Sequence, residues 1–123
     1  MDTNAVIEFL GGHLPASAMT RIQEIVEDEE HALSVVNHIE LMAYNGTVQE
    51  MQTMQDFIDA STVIPLTDPI VNKTIDLRKL YKKKLPDTII AATAFVHNLT
   101  ILTRNESDFR RMTGLNVTNP HNI

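Results

Sequence analysis

The stretch that most limits what this chain can fold into is "PDTIIAATAFVHN" at 86–98, followed almost at once by "TILT" at 100–103. The first segment is apolar nearly all round and rich in alanine, so it predicts a helix buried on most sides and packed closely on a sheet. The second predicts a short strand leaving that helix. Other alternations precede it. "NAVIEFL" (4–10) predicts a short helix stopped by Gly11-Gly12, and Met19, Ile22, Ile25 and Val26 recur at helical spacing between Ser17 and Glu30. "ALSVV" (32–36) reads as a buried strand, after which Asn37 is expected to open a helix that stops near Gly46. Val48, Met51, Met54 and Ile58 then mark the inner face of the next helix. "TVIPL" (62–66) reads as an edge strand, because Pro65 has no amide to give a ladder. Asp68-Pro69 begins a helix with Ile70, Thr74, Leu77 and Tyr81 inside, and "NVTN" (116–119) is a last strand. Strands alternating with helices predict an α/β domain: three layers, with a small parallel sheet flanked by helices. All 123 residues fit a single domain, 1–123.

Composition narrows the classes further. The longest nearly apolar stretch, "TIIAATAFV", is far short of the roughly 20 residues that span a bilayer, and no basic-then-apolar leader opens the chain. The chain has no cysteine, which excludes disulfides and thiolate metal sites and fits a cytoplasmic protein. Net charge is −6, unevenly spread. Residues 1–60 hold eleven acids against one base, whereas six bases fall between Lys73 and Lys84. Such a strip can dock phosphates on an otherwise acidic protein, although a solvated helix face explains it equally well. No phosphate-binding glycine loop, dinucleotide fingerprint or serine-nucleophile elbow is present. The five histidines form no metal-binding pair and read as surface or packing residues.

In parallel sheets ligands gather beyond the carboxyl ends of the strands. Four acids stand at such junctions: Asp2 before the first helix, Glu40 after "ALSVV", Asp87 at the mouth of the buried helix, and Asp108 after "TILT". Singly, each is explained by helix capping. Asn37-x-x-Glu40 and Asn105-x-x-Asp108 both resemble capping boxes, worth about 1 kcal/mol each. Together they mean something else. Like charges about 4 Å apart repel by roughly 4 kcal/mol at an effective dielectric near 20, so converging carboxylates call for protons or a cation. An all-oxygen donor set suits Mg²⁺ or Mn²⁺, whose natural chemistry is phosphodiester hydrolysis.

The order of these acids, within "DTNAVIEFL", "SVVNHIELM", "LPDTIIAATAFVHNLTILTRNESDF" and "LNVTNP", resembles the PIN domain, and most closely the VapC-type toxins of type II toxin–antitoxin pairs. The resemblance implies a metal-dependent endoribonuclease with a parallel sheet of flavodoxin-like order. By similarity Asp2, Asp87 and Asp108 bind the metal, Glu40 ligates it through water or acts as a base, and Asn105 joins Asp108 in positioning water or a second ion. Thr3 and Asn4 match the polar pair that supports the first acid. Arg104, Lys82 and Lys83 are the expected contacts to RNA phosphates. The family further implies a homodimer silenced by an antitoxin. Family members carry about five apolar residues as a central first strand ahead of the leading acid, an ordinary strand length. Here Met1 alone precedes Asp2, so that strand is expected to be truncated or missing. Two other readings compete: a PIN-fold binding module without catalysis, and a receiver-type signalling domain. The latter needs a lysine at the end of the last strand, where this chain has Asn119.

Overall fold

The structure is a computed structural model that describes residues 1–27 and 31–122. The end of the predicted 17–30 helix, Asp28 to Glu30, lies outside the described residues. The elements run α1 (Thr3–Leu10), α2 (Ala16–Glu27), β1 (Ala32–Ser34), α3 (Val35–Met42), α4 (Val48–Asp59), β2 (Thr62–Ile64), α5 (Asp68–Leu80), α6 (Leu85–His97), β3 (Thr100–Leu102), α7 (Glu106–Arg110) and β4 (Asn116–Thr118), with a 3₁₀ turn at Pro120–Asn122. The α/β class and the parallel pairing are as the alternation predicts.

The sheet, however, comes in two halves. β1 pairs with β2 in parallel through Leu33 and Val63, and β3 with β4 through Ile101 and Val117. Among the described residues no ladder joins the pairs. A cavity of about 440 Å³ lies between them, walled by Leu33, Ile64, Ile90, Ala94, Ile101 and Leu102. On the side of β3 that faces the cavity, the Asp2 N–H donates to Leu102 O at 2.9 Å.

Packing holds the halves in place instead. α6 buries Thr88, Ile90, Ala91, Ala92, Thr93 and Ala94. The small alanines let α5 approach closely, so Ile70 and Leu77 pack with Ile90, Ile101, Phe109 and Met112 in one core. A second core joins Val6, Leu33, Leu41, Met54, Phe57 and Ile58. Fully burying one such side chain stabilises by about 1.5–3 kcal/mol, so these two cores carry the fold together with a smaller third one of Leu14, Ala18 and Ile22. α1 ends at Gly11 and the chain turns at Gly12, whose φ of +71° other residues rarely adopt.

The sequence reading is corrected at the start of α3, at its end (Met42, not near Gly46), at the end of β2 (Ile64, not Leu66) and on the inner face of α4. Asn37 does not open α3. Ser34 is the N-cap, and Asn37 reaches back from the third helical position to the Ser34 N–H at 2.8 Å, so Val35 and Val36 become helical. The capping box is Ser34–Asn37, and Glu40 is left free for another role. In α4, Val48 is 90% exposed, and Phe57 takes the inner place assigned to it. Val48 opens the helix, where the chain has not yet turned onto the core.

Candidate active site

Three of the predicted acids are linked: Asp87 acts electrostatically on Asp2, and Asp87 and Asp108 share the Lys83 ammonium. Asp2 is the N-cap of α1. Its Oδ1 accepts the Ala5 N–H at 2.8 Å and its Oδ2 accepts the Thr103 hydroxyl at 2.5 Å. Thr103 is fully buried and its hydroxyl also accepts the Asn105 N–H at 3.0 Å, so one side chain ties Asp2 to the β3–α7 turn. Burial is the largest influence on the Asp2 carboxyl and outweighs these two hydrogen bonds, while Asp87 adds repulsion. The net effect raises its pKa above the ordinary carboxylate value. Taking a carboxylate out of water disfavours its charged form.

Asp87 lies in the first turn of α6, beyond Pro86, where the free amides and the helix dipole favour an anion. It makes no cap. Asp108 lies in the first turn of α7, and Asn105, the N-cap, makes no capping bond with its side chain. The predicted Asn105–Asp108 box is therefore not formed. The Asn105 side chain instead acts on the Asp108 carboxylate as a nearby polar group. With Lys83, the largest influence, it holds that carboxyl below its ordinary pKa.

Lys83 is the surprise of the site. Its Nζ lies 3.1 Å from Asp108 Oδ2 and 3.9 Å from Asp87 Oδ2, and its side chain is only 12% exposed. The ammonium also stands 4.9 Å from the centre of the Phe109 ring. It faces the acids and not the outer basic strip on which it was expected. Lys82 is exposed. Parts of that strip serve the fold: Lys73 caps the Phe95 ring at 4.5 Å, and Arg78 Nη1 donates to Lys83 O at 2.9 Å.

Glu40 sits at the rim. Its carboxylate accepts the Thr3 hydroxyl at 2.7 Å, and Thr3 Oγ1 in turn accepts from Asn37 Nδ2 at 3.1 Å. Thr3 thus supports Glu40, whereas Asp2 is held by Ala5 and Thr103. Asn4 is exposed. Arg104 is exposed and ion-paired to Glu8 at 3.1 Å, and Glu8 also meets His121 Nε2 at 2.6 Å. Thr103 was missed as a site residue because a threonine ending a strand carries no signal of its own. His31 is a packing residue as read: buried, bonded to Ser61 at 2.7 Å and stacked near Phe57.

The donors available are carboxylates, hydroxyls and an amide, a set that suits a hard ion. Among the described residues no three acidic or imidazole side chains are already gathered to hold one. Lys83 fills the space between two of the acids, so a positive charge already marks the place.

Comparison with known proteins identifies the architecture. The PIN domain family model matches residues 1–115. The chain belongs to the PIN domain family. This PIN domain is similar to a toxin–antitoxin complex from Klebsiella pneumoniae, at 28% identity and a TM-score of 0.74, with 97% of this chain and 94% of that one covered. It shares its fold with VapBC2 from Rickettsia felis bound to a promoter DNA fragment (20% identity, TM-score 0.80, 96% and 95% covered). FitAcB from Neisseria gonorrhoeae has the same fold (22% identity, TM-score 0.75, 99% and 97% covered). Among curated proteins none matches. Membership in this family leaves the receiver-type reading without support. No helix among the described residues is long and apolar enough to cross a membrane.

Proposed function

We propose that this PIN domain is a metal-dependent endoribonuclease acting as the toxin of a toxin–antitoxin pair. The observation that carries the reading is the set of carboxylates around one cation position: Asp2 coupled to Asp87, and Asp87 and Asp108 both turned to the Lys83 ammonium. PIN domains are generally nucleases, and the structural neighbours named above are toxin–antitoxin complexes. Asp2, Asp87 and Asp108 would hold Mg²⁺ or Mn²⁺, which when bound activates water and polarises a phosphoryl oxygen.

The chain's own residues do the rest. The Ala5 N–H and Thr103 hydroxyl fix both oxygens of Asp2. Glu40, steadied by Thr3, is an exposed carboxylate able to take a proton from attacking water. Asn105 aligns Asp108. Arg104 and Lys82 offer exposed cations to the flanking RNA phosphates. The partners on this reading are RNA, a cognate antitoxin and a second copy of the chain, in the cytoplasm.

The test is cleavage of a structured RNA pool with Mg²⁺ or Mn²⁺ by the wild type and by Asp87→Asn. Cleavage should require the ion and fall at least about a hundredfold in the variant, the scale for removing one preorganised charged group. A second reading, a PIN-fold binding module, draws on the divided sheet and on Lys83 in the site. Ion-independent, equal background from both proteins would favour it.

A further inference from the structure

Three consecutive lysines enter α6, and they part ways. Lys82 and Lys84 are exposed, whereas Lys83 is directed between two carboxylates. Several contacts hold it there. Its backbone carbonyl is gripped by Arg78, its ammonium lies by the ring of buried Phe109, and Asp87 and Asp108 flank its charge. A lysine gives up hydration to sit this way, and the carboxylates are what offset the loss. They are also two of the three ligands assigned above to the divalent ion. An ammonium and a metal ion cannot share one position between the same oxygens.

We infer that Lys83 is a built-in competitor for the metal: its ammonium closes the Asp87–Asp108 edge of the site and must leave before an ion binds there. The inference rests on the metal-site reading. The chemistry permits the exchange. A single ammonium between two carboxylates leaves one negative charge uncompensated, and Asp2 adds another when ionised, so a divalent ion is the better electrostatic match. The four-carbon stem lets the ammonium swing out to solvent without moving the backbone. Until it does, the ligands are kept apart and in place by an internal cation. Metal affinity is thereby set lower than the acids alone would give.

The experiment is Mn²⁺ binding without RNA, followed calorimetrically, for the wild type, Lys83→Met and Lys83→Gln. Methionine keeps much of the stem beside Phe109 and removes the charge. Both variants should bind Mn²⁺ about tenfold more tightly or better, a deliberately discounted effect for a partly exposed ion pair. Their melting temperatures should fall in chelator, where Asp87 then faces Asp108 uncompensated, and should gain more from Mn²⁺ than the wild type does. Equal or weaker binding by folded variants overturns the competition while leaving the metal site standing. No binding by any of the three proteins overturns the metal reading and this inference with it. A measurement on the wild type alone guards against variants that do not fold. The ¹⁵N resonance of the Lys83 ammonium should shift on saturation with Mg²⁺, and a signal unchanged at saturation contradicts its displacement.

Discussion

Asp2 and Asp108, from opposite ends of the chain, enter the candidate site in opposite electrostatic states. Asp2 is largely withdrawn from water and lies near Asp87, and its carboxyl titrates above the ordinary value despite two hydrogen bonds. Asp108 stands at the open edge, ion-paired to Lys83 with Asn105 beside it, and titrates below it. The same residue type is thus a reluctant anion on one side of the site and a settled one on the other. The difference shows what each side holds. The Asp2 side has hydrogen-bond donors and the buried N-terminal amine of Met1 nearby, whereas the Asp108 side has a lysine ammonium in contact at 3.1 Å. A divalent ion would gain most on the Asp2 side and meet competition on the other.

The sharpest way to break this comparison is Asp2→Asn. Cleavage should be lost, by about a hundredfold or more, because a charged ligand is removed. Stability at neutral pH should nevertheless hold or rise, since asparagine is as good an N-cap and no buried anion remains. Thermal melting beside the cleavage assay checks both, and a large loss of stability would contradict the account.

Thr103→Val comes next. It strips a buried donor from Asp2 and an acceptor from the Asn105 N–H. A loss of about 1–3 kcal/mol is expected in denaturant unfolding, with the Asp2 carboxyl rising further. No change would mean that the hydroxyl is not the anchor.

The pH dependence sharpens the same contrast without a mutation. For Asp2 the folded pKa lies above the ordinary 3.8, so the folded state binds the extra proton. Its contribution to stability falls as pH rises from 3.8 through the raised value. For Asp108 the folded pKa lies below 3.8, and its contribution is present above 3.8 and lost as pH falls through the lowered value. Carboxyl ¹³C titration of the ion-free protein should find Asp2 the higher of the two, and the reverse order would undo the comparison. The smallest effect belongs to Lys82→Ala, which leaves the acids untouched. KM for RNA should rise about twofold to threefold with kcat unchanged, the signature of a lost phosphate contact.

Much of the fold was legible because its signals are local. The all-round apolar helix at 85–97 and the strand after it follow from composition and period alone. Asp68-Pro69 marked the start of α5 within one turn. Where periodicity misled, a cap had prevailed: Val35 and Val36 read as strand because they are β-branched, but Ser34 and Asn37 close a box around them. The candidate acids were visible as a set, since each follows a strand or opens a helix. Their second partners were not. Thr103 holds Asp2 across 101 positions, a pairing no local pattern encodes. Lys83 was read with Lys82 as a contact to RNA phosphates, and only the tertiary fold brings the turn between α5 and α6 beside Asp108. The cavity between the two strand pairs, lined by both apolar and polar side chains, needed three dimensions.

The central claim is that Asp2, Asp87 and Asp108 form one cation site. It is tested most directly by adding Mn²⁺ in small steps to ¹⁵N-labelled protein and following paramagnetic broadening of the amide signals. The account predicts that Asp2, Asp87, Thr103 and Asp108 broaden first and together. Early broadening on the acidic face of α4, at Glu50, Asp56 and Asp59, with those four signals still sharp, would contradict it.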